Sequence, residues 1–120
     1  MAKASMVMLL LMNSCLNYPI SMAQYKLSLE AYKSLEHITD YSVEQFGTHQ
    51  TNIYLNQLRK RIRWLAENPH LGKPRNEIMS GYHSYFEGSH TIFYTIEDDH
   101  IGIIDILHQS MDPARHLWDD

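Results

Sequence analysis

YHSYFEGSHTIFYTIEDDHIGIIDILH, residues Tyr82 to His108, decides the fold. Apolar and polar side chains alternate along it, β-branched and aromatic residues dominate, and Gly88-Ser89 and Asp98-Asp99 interrupt the pattern. Short runs of that composition separated by two-residue loops signal β-hairpins, and a glycine opening the first loop suits a type II′ turn. Three antiparallel strands are therefore expected over Tyr82 to Glu87, Thr91 to Glu97 and Ile101 to His108. The turns also set a register, with Tyr85 opposite Ile92, His83 opposite Tyr94, Tyr94 opposite Ile103, and Ile92 opposite Asp105. One face then carries Tyr85, Ile92, Tyr94, Ile96, Ile101, Ile103 and Leu107, and the other Phe86, Phe93, Ile104, Ile106, Ser89 and His108. In this register His108 faces Ser89, while His90 points to the opposite side. An antiparallel sheet packed on one face normally shows a polar second face. Here both are apolar, so the second is expected to stay largely open to a partner polypeptide, with the short tail after Pro113 shielding only part of it, the alternative being a tail that closes a second small core.

The upstream sequence supplies the cover for the first face. Tyr25 to Ser28 reads as a short strand, and Ser28 as the cap of a helix with Glu30 in its first turn. Ala31, Leu35, Ile38 and Phe46 recur on one face of that helix, and Gly47 ends it. A second helix carries the stripe Thr51, Tyr54, Leu55, Leu58, Ile62 and Leu65 until Asn68-Pro69 forbids continuation. So short a link forces the two helices to pack antiparallel. Ile53, Lys60 and Trp64 fall on the outward face of the second helix, which makes Trp64 a candidate for contact with a partner. The fold class is α+β: a short strand, a helical hairpin, a three-stranded antiparallel run and a short C-terminal segment.

At 120 residues the chain accommodates one domain. Met1, Met6, Met8, Met12 and Met22 crowd its beginning, and the apolar run Met6 to Met12 is too short to span a bilayer. Residues 1–22 are read as a lead that precedes a start at Met22 or forms a tail, a secretory leader being the alternative. Residues 23–120 are the expected domain. The single cysteine, Cys15, excludes an internal disulfide and suits a reducing, cytoplasmic setting. A net charge of -4 disfavours a chain whose task is gripping nucleic acid. Eight histidines raise the question of a metal, yet no pair has zinc-site spacing. Acid-base catalysis through His108 with Tyr82 or Tyr85 is the stronger chemical alternative, but the three strands hold no lysine or arginine to stabilise a phosphodiester transition state. Cations gather instead at Arg59, Lys60, Arg61 and Arg63, then at Lys73 and Arg75, as a solvated face or as a patch for an acidic partner.

Several pieces in order carry a family resemblance: YKLS with Ala31 and Leu35, Phe46-Gly47, LAENPHLGKP from Leu65 to Pro74, GSHTIFY from Gly88 to Tyr94, and ILHQSMDPARHL from Ile106 to Leu117. Together they resemble the ParE toxins of type II toxin-antitoxin systems, in the RelE/ParE superfamily, over Tyr25 to Leu117. The resemblance implies the same α+β fold, inhibition of DNA gyrase without catalytic residues or cofactors, and neutralisation by a ParD-like antitoxin through an amphipathic segment. The antitoxin is expected on Phe86, Phe93, Ile104, Ile106 and Trp64. Candidates for contact with the target are Arg59, Lys60, Arg63, His108, Arg115 and His116. Direct sequence-specific nucleic acid binding and membrane insertion are not expected. The alternatives are a RelE-like ribosome-dependent mRNA endonuclease using His108, Tyr82 and Arg75, and a non-toxic remnant that binds only the antitoxin.

Overall fold

The computed structural model describes residues 24–111 together with Leu117. The lead with Cys15 and the tail positions Asp112, Arg115 and His116 therefore lie outside the described residues. Strand β1 (Tyr25–Leu27) runs into a helical stretch, Leu29–Glu67, that is broken at Gly47 into α1 (29–46) and α2 (48–67). A 3-10 turn (Pro69–Leu71) and a two-residue strand β2 (Lys73–Pro74) lead to β3 (Tyr82–Glu87), β4 (His90–Ile96) and β5 (Ile101–His108). The five strands form one sheet in the order β1-β5-β4-β3-β2, with β1 parallel to β5 and the other pairs antiparallel.

Ser28 joins the layers. Its Oγ accepts the Ala31 amide at 3.0 Å, which caps α1 as expected, and donates to the Ile104 carbonyl at 2.6 Å, while its own amide reaches Ile103 O at 3.0 Å. One serine thus fixes both where α1 begins and where it sits on β5. Gly47 breaks the helix at φ 85°, a conformation that L side chains avoid. Across the break the hydroxyls of Thr51 and Ser42 lie 2.9 Å apart, and Thr51 Oγ1 is 2.8 Å from Gly47 O. Nine residues of unbroken helix would separate those two side chains by about 13 Å along the axis, so the chain has folded back into the expected hairpin. The α2 stripe packs as expected, with Thr51, Leu58, Ile62 and Leu65 fully buried. On α1 the buried line is Ala31, Leu35, Thr39 and Ser42. Phe46, expected on that line, is 65% exposed because it sits at the last turn before Gly47, past the cover of the sheet.

The sheet departs from the expected register at one residue. Tyr85 opposite Ile92, His83 opposite Tyr94 and Tyr94 opposite Ile103 are all observed, but Ile92 pairs with Ile106 and Phe93 with Asp105. A bulge leaves Ile104 unmatched, and one extra residue moves every later side chain to the other face. Ile106 joins Ile92, Tyr94, Ile101 and Ile103 in the core beneath the helices, whereas Leu107 turns to the second face. His108 consequently pairs with His90 instead of facing Ser89, whose carbonyl takes the Gln109 amide. Asp105, buried in the bulge, has its Oδ1 hydrogen-bonded by the Ser34 hydroxyl and by the Ile106 amide at 2.8 Å, as a buried polar group requires.

The second face is not open. Phe93 is 1% exposed and packs with Ile78, Leu107 and Leu117, supported by Tyr82 and Ile104. Leu117 brings the chain's end onto this cluster, and Ile78 arrives from the segment between β2 and β3, which the sequence presents as a plain loop. Of the apolar side chains assigned to that face, Phe86 alone is strongly exposed, at 67%.

The edges are held by polar devices. Tyr94 Oη donates to Pro69 O at 2.6 Å and accepts the Gly72 amide at 3.0 Å, and a Cβ on Gly72 would lie 2.1 Å from that oxygen. Burial raises the Tyr94 pKa, as a hydroxyl kept neutral for this double bond requires. At the sheet edge, Lys73 and Pro74 make β2 short and unreceptive to further strands.

Candidate functional site: an apolar groove beside the helical hairpin

What the second face does not offer, the opposite side of the molecule does. A groove of about 840 Å³ opens between α1, the first turns of α2 and the distal end of β5. Helix α1 contributes Ser34, His37, Ile38, Tyr41, Ser42 and Phe46, and α2 contributes Gln50 and Tyr54. The floor and far wall are Ser89 and His90 at the β3-β4 turn, then Ile106, Leu107, His108 and Met111. Its mouth is apolar: Tyr41 is 62%, Phe46 65% and Met111 41% exposed. These side chains have no cover among the described residues, although the groove they border is also lined by buried Ile106.

One wall carries a polar cluster that the bulge creates. The rings of His90 and His108 stand 5.4 Å apart at 86°. Tyr54 Oη lies 2.6 Å from His90 Nδ1 and donates to Glu87 O at 3.0 Å. Burial, followed by the charge of Glu87, pushes the Tyr54 pKa up to about 12. Burial, followed by the neighbouring His108, pulls the His90 pKa down to about 4, so this imidazole is neutral near pH 7. The His108 Nδ1 meets both the Ser110 hydroxyl at 2.8 Å and the Ser110 amide at 3.1 Å.

The sequence-expected site residues distribute differently. Ile106 reaches the groove, but as its floor. Phe93 and Ile104 belong to the second cluster. Trp64, expected to point outward, packs edge-on against Tyr85 with ring centroids 5.3 Å apart, and the Arg61 guanidinium lies 4.6 Å over its ring. Arg61 also pairs with Glu87 at 2.8 Å, so it belongs to the α2–β3 contact and not to a free basic patch. Arg59 contacts Asn56 and Lys60 is exposed. Arg75 pairs with Glu77 at 2.6 Å and reaches Ser84 at 3.2 Å. The nuclease trio does not assemble. Tyr82 pairs with Thr95 at one end of β4 and His108 with His90 at the other, roughly 17 Å apart at the rise of a strand. No lysine or arginine lines the groove, and among the described residues no group of three or more histidine, cysteine, aspartate or glutamate side chains is placed to hold a metal ion. Nor is any described helix long and apolar enough to cross a membrane.

Tyr41, Phe46, Tyr54, His90 and Met111 are among the groove residues that sequence reasoning missed as site residues. The available signal was Phe46 beside Gly47, since a large apolar side chain at a helix end has little neighbouring chain to cover it.

Comparisons with known proteins agree with this architecture. The family described as ParE toxin of type II toxin-antitoxin system, parDE, matches residues 25–113. Toxin ParE1 of Caulobacter vibrioides is 36% identical over 96 residues, covering 80% of this chain and 99% of that protein. Toxin ParE1 of Mycobacterium tuberculosis is 38% identical over 96 residues, covering 79% and 98%. A chain of the chromosomal ParDE TA system from P. aeruginosa superposes with a TM-score of 0.62 at 17% identity, covering 72% of this chain and 96% of that one, and so shares its fold. The strand, helical hairpin and bulged antiparallel sheet, with a family match that spans nearly all of the described residues, place this chain in the ParE toxin family of type II toxin-antitoxin systems.

Proposed function

We propose that the apolar groove receives an amphipathic segment of a ParD-like antitoxin, and that the free toxin inhibits DNA gyrase by binding it, with no covalent chemistry of its own. The observation that carries the docking site is the contrast in cover: the second face is sealed by the chain itself, while Tyr41, Phe46 and Met111 border a groove that no described residue fills and whose floor is core. Helix-in-groove recognition uses apolar anchors spaced along one helix face, and a cleft of this size takes two or three of them. The antitoxin contact therefore moves from Phe93, Ile104 and Trp64, which are engaged internally, to Tyr41, Phe46 and Met111, with Ile106 beneath them and Phe86 as an outlying contact. Gyrase is assigned to the outward face of α2 through Arg59, Lys60 and Arg63. The solved relative belongs to a ParDE system, which supports an antitoxin partner for this chain too.

The test is co-purification with a ParD-like antitoxin. Phe46→Asp combined with Tyr41→Asp should weaken the complex on the order of a hundredfold, as loss of central apolar anchors does, with circular dichroism unchanged. Tight binding by that folded variant overturns the groove placement. Induction of the free toxin addresses the target: filamentation with an SOS response supports gyrase, rapid loss of translation supports the nuclease alternative, and normal growth a remnant.

A further inference from the structure

A groove of this kind can be filled from within the same chain. It is bordered by the exposed side chains of Tyr41, Phe46 and Met111, and none of its lining residues is an aspartate, glutamate, lysine or arginine. Burial keeps the His90 imidazole on its wall neutral near pH 7. Such a lining selects an uncharged, apolar occupant, because a charge brought into it would lose its water without gaining a partner. The sequence holds a long stretch of that character. From Ala4 to Tyr25 there is no charged residue and no histidine, and MVMLLLM, Met6 to Met12, is its apolar centre. This lead lies outside the described residues and outside the family match, which begins at residue 25. Seven apolar side chains in a row are too few to cross a bilayer, yet they gain free energy wherever they can leave water. Three of them are methionines, whose unbranched side chains fill irregular clefts.

The point of attachment puts the groove within reach. Gln24 accepts the Ile101 amide at 3.0 Å at the start of β5, and the groove lies at the other end of that strand. From Ile101 to His108 the path along β5 is about 23 Å. The eleven residues 13–23 that separate Met12 from Gln24 extend to about 36 Å, which leaves slack for the turn around α1. Strand β1 pairs with β5 only from Ile101 to Ile103, so among the described residues no strand stands on that side of the distal half of β5. We propose that Met6 to Met12 occupies the groove of its own molecule while the toxin is free. A tether of this length supplies an effective concentration on the order of millimolar, so even a modest affinity keeps the groove covered. The lead then sets a threshold, since an antitoxin segment binds only by displacing it. That consequence rests on the docking role given to the groove above, whereas the occupation itself does not.

Cys15, the only cysteine of the chain and close behind Met12, carries the probe. The full-length toxin, purified without antitoxin, is labelled there with benzophenone-4-maleimide, irradiated in dilute solution, digested and mapped by mass spectrometry. The expected products are crosslinks of monomer mass to Tyr41, Phe46 or Met111. Leu9→Asp combined with Leu10→Asp leaves Cys15 and the described residues unchanged. It should lower the yield at least about tenfold, since two carboxylates entering an apolar cleft stay unpaired. An undiminished yield in that variant, crosslinks scattered away from the groove, crosslinks of dimer mass only, or a purified chain that lacks the lead each overturns the proposal. Saturating ParD-like antitoxin should remove the wild-type crosslinks. Groove crosslinks that form in the free toxin and persist with antitoxin bound support the occupation and overturn the antitoxin's placement there. If the free toxin gives no groove crosslink while Phe46→Asp with Tyr41→Asp still loses the antitoxin, the groove belongs to the antitoxin and the occupation by the lead is overturned.

Discussion

The two apolar regions flanking β5 have similar composition and opposite fates. On one side Phe93, Leu107, Ile78 and Leu117 close on each other, and none exceeds 9% exposure. On the other Tyr41, Phe46 and Met111 stay in water above a buried floor. The difference teaches that greasiness of a sheet face does not identify an interaction surface: what matters is whether the chain has a further segment that reaches it. Ile78 and Leu117 reach the first. Among the described residues nothing reaches the second.

The sharpest way to break this comparison is one charge on each side. Phe93→Asp places an unpaired carboxylate in a closed apolar cluster and removes a buried ring, which should cost about 4 kcal/mol and leave the variant largely unfolded in urea titrations. Phe46→Asp should change stability by less than about 0.5 kcal/mol, as exposed substitutions do, while weakening the antitoxin complex. If both variants were equally stable, the sealed face would be open after all. A smaller loss is expected for Leu117→Ala, about 2 kcal/mol, since its side chain is the lid of the sealed cluster. That value should appear as a lower urea midpoint with unchanged antitoxin affinity.

Backbone geometry offers a comparable test away from both faces. Gly72→Ala drives a methyl into Tyr94 Oη, so either the Pro69–Leu71 turn or the tyrosine must move. The loss should be about 1–3 kcal/mol, and Tyr94→Phe combined with Gly72→Ala should cost less than the two separate changes added, because removing the hydroxyl removes the clash. Ser28→Ala should cost about 1 kcal/mol through the lost cap, with part of the effect arising from the unmet Ile104 carbonyl.

How legible these features were in the sequence depends on the range of the interactions that set them. Ser28 as a cap, Gly47 as a break and Gly88-Ser89 as a turn are local statements, settled by a side-chain oxygen or a positive φ within a few residues, and all three stand in the structure. The bulge at Ile104 is different. IGIIDILH contains adjacent isoleucines, and nothing local says which of them leaves the ladder. Asp105 meets Ser34 from 71 positions away, and that distant contact accompanies the shift that carries Ile106 into the core, Leu107 out of it and His108 alongside His90. The parallel pairing of β1 with β5 is equally long-range. Most of the fold was therefore readable and the groove was signalled only by Phe46 beside Gly47, whereas the histidine pair was not legible, because it is the consequence of a single unpredicted residue.

That residue leaves a mark on the pH dependence of folding, the smallest of the expected effects. His90 titrates at about 4 in the folded chain against about 6.5 for an unperturbed histidine, so the unfolded chain binds a proton that the folded one refuses. The stabilisation from keeping this ring neutral is complete above the unfolded value and is lost progressively as pH falls from about 6.5 toward about 4. Because the ring is only partly enclosed, the expected change is a modest lowering of the urea midpoint over that window. His90→Gln removes the titration, so its midpoint should decline less over the same pH range, even though it starts lower from the altered contact with Tyr54. If wild type and His90→Gln decline in parallel, the ring is free to protonate in the folded chain and the register that sets it against His108 is wrong. Such a result would restore the regular, unbulged pairing, in which the two histidines point apart.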